Sequence, residues 1–358
     1  MSDCLMTWVV RRLKHEAKPG FLWCACVASL VLLLILCSGT QDAAAQAVAA
    51  APAPAPNGRL VDLGGYQLHL DCTGKGGLTV VLSAGSGDFS FDWALVQPEV
   101  AKFIRVCSYD RSGEAWSDLG PKPRTMRQEV YDLHRLLAAA GEPAPYVVVG
   151  HSLGGMIARM FAAQYPKETA GLILVDSFHE DTELSINGKL VRLRTLAQDR
   201  PIPAPRRSVS AADALTEDET KKIQEFIAQV VGKPNIEPPF DKLPAAAQQD
   251  RLWALSQPKH YAEAENYMAE ETAQIYAETA KAKFPLGNLP LIVLTRSRDE
   301  YPPDQAAALS QEHKEQQESL ARLSSAGKQI VVPNSGHHIQ LDAPDAVISA
   351  IRITVAAK

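Results

Sequence analysis

Apolar, β-branched runs recur along most of this chain, and helical stretches separate several of them. The runs are YQLHLDC, LTVVLSA, FIRVCSY, YVVVG, GLILVDS, LPLIVLT and KQIVVP. Several are apolar throughout, so both faces of those strands must be covered. The intervening stretches supply the cover. Met126, Val130, Leu133 and Leu137 recur at helical spacing, which predicts an amphipathic helix over 125–140. A second helix is expected from Leu153 to Tyr165, stopped by Pro166, and a third after Pro344. Strand–helix alternation of this kind implies an α/β fold: a mostly parallel sheet with helices on both faces and right-handed crossovers.

One interval breaks the rhythm. Residues 177–288 contain no clear strand run. They read as helices (TEDETKKIQEFIAQVV, AAAQQDRLWAL and HYAEAENYMAEETAQIYAETAKAK) joined by Pro-rich turns such as RPIPAPRR. The interval is too long for a bare loop. We read it as a helical cap inserted into a core formed by 59–176 and 289–358.

The N-terminal end is a different material. Arg11, Arg12, Lys14 and Lys18 precede an unbroken apolar run from Phe21 to Cys37, and Ala43-Ala44-Ala45 follows as an A-x-A cleavage site. Residues 1–45 therefore read as a secretory signal peptide. The alternative is an uncleaved anchor through 21–37, since about 17 apolar residues is the lower limit for crossing a bilayer. Either reading places the chain outside the cytoplasm, in a periplasm or secreted. Residues 46–58 (AVAAAPAPAPNG and the preceding Gln46) have no apolar face to bury and read as an Ala/Pro-rich linker. Four of the six cysteines fall in the export segment. That leaves Cys72 and Cys107, an even pair bound for an oxidising compartment, or else two buried thiols. Net charge is −5 and no basic stripe lies outside the N-terminus, so nucleic acid is not an expected partner.

The segment YVVVGHSLGGMIARMF carries the chemistry. Gly150-His151-Ser152-Leu153-Gly154 has the form G-x-S-x-G and lies directly between a strand and a helix. That context is what the pattern requires: a turn this tight strains its central residue and tolerates only small neighbours. It would hold the Ser152 hydroxyl out at the carboxyl edge of the sheet. A serine hydroxyl is a weak nucleophile, so it needs a base, and the base needs an orienting acid. LIVLTRSRDE ends a strand and reaches Asp299; IVVPNSGHHIQLDAPD ends the next and reaches His337 and His338. Local reasoning does not separate these two histidines. No G-x-G-x-x-G follows a strand, no P-loop is present, and no cluster has metal-ligand spacing, so neither cofactor nor metal is expected. His69, His134, His260 and His313 read as surface or core residues.

With these motifs in view, the chain resembles a serine member of the α/β-hydrolase superfamily, in the esterase-like branch with a helical cap. The motifs are SAGSGDFSFDW, YDRSGEAWSD, VVGHSLGG, LILVDS, LTRSRDE and SGHHIQLDAP. The resemblance covers about 60–176 and 289–355 and implies an eight-stranded sheet. It assigns His337, which directly follows Gly, as the base. It places the acid at Asp299, with Asp176 at the end of the preceding strand as the alternative and Asp304 as a more distant third. It implies an oxyanion hole from the N–H groups of Leu153 and Ser86, and it reads Arg111 as structural, with Ala115 replacing a family glycine. It makes the strands of Cys72 and Cys107 antiparallel neighbours, and the two cysteines a candidate disulfide. The implied activity is cleavage of a carboxylic ester through an acyl-enzyme. Thioester, lactone, prolyl-peptide and carbon–carbon hydrolysis share the machinery, and a non-catalytic binding protein on the same fold is the alternative of another class. Trp253, Tyr261, Tyr267 and Met268 are candidates for the pocket wall.

Overall fold

The computed structural model describes residues 53–186, 189–262, 267–301 and 305–357. The expected export segment, with its apolar run at 21–37, and Asp304 lie outside the described residues. Among the described residues no helix is long and apolar enough to cross a membrane.

In chain order the elements are β1 (Arg59–Asp62), β2 (Gln67–Thr73), β3 (Thr79–Ser83), α1 (Gln97–Ala101), β4 (Arg105–Tyr109), α2 (Met126–Ala140), β5 (Tyr146–His151), α3 (Leu153–Gln164) and β6 (Thr169–Val175). The cap follows, with β7 (Glu183–Ile186), β8 (Lys189–Arg192), α4 (Glu217–Phe226), α5 (Ala245–Leu255) and α6 (Met268–Thr279). The chain then returns to the core through β9 (Leu291–Arg296), α7 (Ala306–Ala321), β10 (Gly327–Val332), α8 (Ile339–Asp342) and α9 (Pro344–Ala356).

One eight-stranded sheet has the order β1-β2-β4-β3-β5-β6-β9-β10. β2 runs antiparallel to both its neighbours, and every pairing from β4 to β10 is parallel. Each apolar run becomes a strand because successive side chains feed opposite faces. Val148, Leu172 and Val293 join Val130 and Leu133 of α2 on one side; Val147, Val149 and Ile173 join Val347 and Ile351 of α9 on the other. The run that reads as polar at the boundary, RLVD, is too short for periodicity to reveal, yet it pairs with β2 as the edge strand β1. Helix α2 opens on Thr125, whose Oγ1 accepts the Gln128 N–H, and closes on Gly141 at φ +74°.

Cys72 and Cys107 stand directly opposite each other in the β2–β4 register and are joined by a disulfide.

Two expectations need correction. The insert is not wholly helical: β7 and β8 pair as an antiparallel hairpin. Four-residue strands of mixed polarity carry no legible period. The end of the Ala/Pro segment is also tied to the core, since Trp116 Nε1 donates to the Pro54 carbonyl and His69 contacts the Asn57 carbonyl. The cap docks on the core through a buried carboxyl, pushed up to about 7 by burial. The Glu271 carboxylate, on α6, accepts the N–H groups of Met126 (2.9 Å) and Arg127 (2.8 Å) at the start of α2. These are orphan donors of a helix N-terminus, where negative charge is favoured.

Candidate active site

Ser152 occupies the junction of β5 and α3 with φ +51° and ψ −120°, a left-handed backbone that a serine adopts only under constraint. The surroundings supply it. Ser152 N–H donates to Val175 O at 3.1 Å, and Ser152 O accepts from Phe178 N–H at 3.0 Å. The turn closes only because its neighbours are glycine. A Cβ at Gly150 would collide with the Gly154 carbonyl, and one at Gly154 with the carbonyls of Ser83 and Ala84. Ser152 is 4% exposed. Among the described residues its Oγ makes no protein hydrogen bond, and neither Leu153 N–H nor Ser86 N–H has a protein acceptor. Leu153 N–H is the first donor of α3 and points where helix N-termini receive negative charge.

The histidine loop after β10 brings His337 to the same rim. Its Nδ1 lies 2.7 Å from Asp176 Oδ2. This corrects the expected acid. Asp299 lies three residues beyond the end of β9, is exposed, and accepts a hydrogen bond from Ser310 Oγ. Asp176 directly follows β6, the strand next to β5, and leaves it at φ +42° with its N–H on Leu294 O. Left-handed backbone at the strand end turns its carboxylate along the rim instead of into the layer above.

Asp176 is fully buried and has four donors. Besides His337 it meets Arg296 Nη1 (2.6 Å), Arg296 N–H (3.1 Å) and His313 Nε2 (3.0 Å). Burial opposes its charge, but Arg296, His313 and His337 outweigh burial and hold its carboxyl well below the usual range. Burial also pushes His337 down to about 3, against the pull of Asp176. The His337 imidazole is therefore neutral at pH 7, with Nδ1 on the carboxylate. Arg296 was not singled out by the sequence, and His313, read there as a surface or core residue, instead meets the carboxylate. A histidine in the polar face of α7 carries no signal of the carboxylate it meets.

The loop after β3 forms the third side. Arg111 forks onto its carbonyls, Nη1 to Ala84 O at 2.5 Å and Nη2 to Gly85 O at 2.6 Å. That explains a structural Arg111, and Ala115 takes the glycine-like φ of +37°. Asp88, at the end of the loop, meets His151 Nδ1 (3.2 Å) and His338 Nε2 (3.5 Å). Asp88, His151 and His338 offer three donor atoms within 4.8 Å of one another, a set compatible in type with a divalent metal. The residues lie 63 and 187 positions apart, so sequence spacing could not reveal the cluster. Arg251 Nη2, 3.5 Å from Asp88 Oδ1, already supplies positive charge there. His337, not His338, is the histidine on Asp176.

Of the pocket candidates, Met268 packs with Met126, Met156 and Ile275 near Leu153, whereas Trp253 packs on Trp116 at 5.5 Å between ring centroids. A surface depression of about 650 Å³ lined by Leu78, Ile104, Pro145 and Thr169 sits at the amino ends of the strands, on the rim opposite Ser152. It has none of the groups described above.

Comparison with known proteins agrees with this geometry. The family model described as "Alpha/beta hydrolase family" matches residues 80–350. A Hormonema carpetanum protein named "Probable transporter efuK" is 24% identical over 311 residues, 83% of this chain and 42% of its own length. The chain spans less than half the length of the first curated relatives it matches. Among solved structures, a thermophilic esterase from Thermogutta terrifontis has a TM-score of 0.53 at 23% identity, covering 82% of this chain and 94% of that one. The enol-lactonase from Burkholderia xenovorans has a TM-score of 0.56 at 17% identity, covering 83% and 100%. The sheet order, the serine turn at the end of β5 and a family match over most of the core and cap together lead to one statement: this chain belongs to the alpha/beta hydrolase family.

Proposed function

We propose that the protein is an exported serine hydrolase that cleaves carboxylic esters through an acyl-enzyme. The observation that carries this reading is the His337–Asp176 pair at the rim where Ser152 is held in a strained turn. Ser152 Oγ attacks the acyl carbon while its proton passes to His337 Nε2. Asp176 fixes the imidazole tautomer and stabilises its charged form. The N–H groups of Leu153 and Ser86 hold the oxyanion. His337 then gives the proton to the departing alcohol, which leaves the acyl group on Ser152. Water, deprotonated by the same nitrogen, releases the acid and restores the serine. Ser152 to His337 contact forms in the substrate complex, as such bonds commonly tighten only there.

Export is supported by the basic–apolar–small order of residues 1–45 and by the Cys72–Cys107 disulfide, a bond of oxidising compartments. A fluorophosphonate probe tests the nucleophile: one label per chain, lost in Ser152→Ala, is the expected result. An unlabelled, folded protein would favour a non-catalytic binder. A series of p-nitrophenyl esters of increasing acyl length, with a prolyl-peptide substrate alongside, tests the bond cleaved.

A further inference from the structure

His151 is the first unspecified residue of the G-x-S-x-G turn, and no acyl-transfer step uses it. Its side chain is 1% exposed and stands where three segments meet. Its Nε2 lies 3.0 Å from the His337 main-chain oxygen. A carbonyl only accepts, so this nitrogen carries a proton. Its Nδ1 lies 3.2 Å from Asp88 Oδ2, which joins the turn to the loop after β3. Asp88 is itself held: its N–H donates to Gly85 O at 3.2 Å, and Arg251 and His338 flank its carboxylate. A Cβ at Gly85 would meet Asp88 Oδ2 at 2.7 Å and His151 Nδ1 at 2.8 Å. The loop backbone thus rests directly on the pair, which only glycine permits.

We propose that His151 is a positioning residue that, with Asp88, ties the loop of Ser86, the turn of Ser152 and the loop of His337 into one unit and so sets where the His337 imidazole stands. The proposal rests on Ser152 and His337 being nucleophile and base. Asp176 grips the His337 ring at one nitrogen, and a ring held at one atom still swings. His151 fixes the main chain from which the ring hangs. Acyl transfer is sensitive to this, since a misplacement of about 1 Å costs about 10²-fold in rate.

The test uses the whole protein and three variants of one position. The glutamine side-chain nitrogen reaches the place of His Nε2; the asparagine nitrogen reaches that of Nδ1. His151→Asn and His151→Leu should lose about 10²-fold in fluorophosphonate labelling rate and in kcat, with KM little changed. His151→Gln should recover to within about tenfold of the wild type, since it restores the bond to the His337 carbonyl. Thermal midpoints separate these effects from unfolding. Equal rates for the Gln and Asn variants overturn the proposal, as does a folded His151→Leu protein that labels at the wild-type rate. One equivalent of zinc in purified protein, lost in His338→Ala, also overturns it, because the cluster is then a metal site. Labelling that survives in Ser152→Ala, or is absent from the wild type, overturns the nucleophile assignment and the proposal with it. Both are read before any His151 variant is compared.

Discussion

Replacing Asp176 by Asn removes one charge and turns one acceptor oxygen into a donor. Four donors meet the carboxylate, two at each oxygen: His337 Nδ1 and Arg296 Nη1 at Oδ2, Arg296 N–H and His313 Nε2 at Oδ1. An amide nitrogen at either place therefore faces donors, whichever way the group is turned. Two losses follow. The His337 tautomer is no longer held with Nε2 free, which in a triad costs about 10⁴-fold in kcat. Arg296, with a side chain 9% exposed, is left without its charge partner, and breaking a buried pair costs about 3–5 kcal/mol. Asp299→Asn is the matched control. That carboxylate is exposed and, among the described residues, bonds only Ser310, so its loss should stay within about 0.5 kcal/mol and leave kcat unchanged. The assay is kcat on a p-nitrophenyl ester for both variants, alongside urea unfolding. If Asp299→Asn abolishes turnover while Asp176→Asn keeps it, the assignment of the acid from this geometry is wrong.

Further outcomes follow from the same geometry. His337 is held down to about 3 by burial, so the acid limb of kcat/KM should fall well below the free imidazole value of about 6.5, read from a pH–rate profile. Unfolded His337 takes up a proton below about 6.5 that the folded site refuses, so this group weakens folding as pH drops from there toward about 3. Asp176, depressed in the fold, contributes stability that is present above its unfolded value and lost as pH falls through the folded one; acid unfolding monitored by circular dichroism reads both. Glu271→Gln should loosen the cap, lowering stability by about 0.5–2 kcal/mol and changing KM on long-chain esters more than on short ones. Replacing Cys72 and Cys107 together by Ser opens a closure of 35 residues, worth about 4 kcal/mol on the chain-entropy account, read as a lower urea midpoint.

The apolar runs and the Gly-His-Ser-Leu-Gly turn made most of the architecture legible. Covered strands can only be apolar on both faces, and a serine between strand and helix can only be flanked by small residues; both are local constraints, written in consecutive positions. The helix from Met126 to Ala140 followed from its period for the same reason. Edge strand β1 and the β7–β8 hairpin were not legible, because four residues carry no period. Nor was which carboxylate meets His337. Asp176 and Asp299 both follow strands that end at the same rim, and only the left-handed exit of Asp176 and the neighbours Arg296 and His313 decide between them. The Asp88–His151–His338 cluster is likewise a product of tertiary structure, since its members come from two loops and the end of β5, which meet only when the sheet is assembled. Local sequence sets what each segment can be, whereas charges far apart along the chain find their partners only through the packing that brings them together.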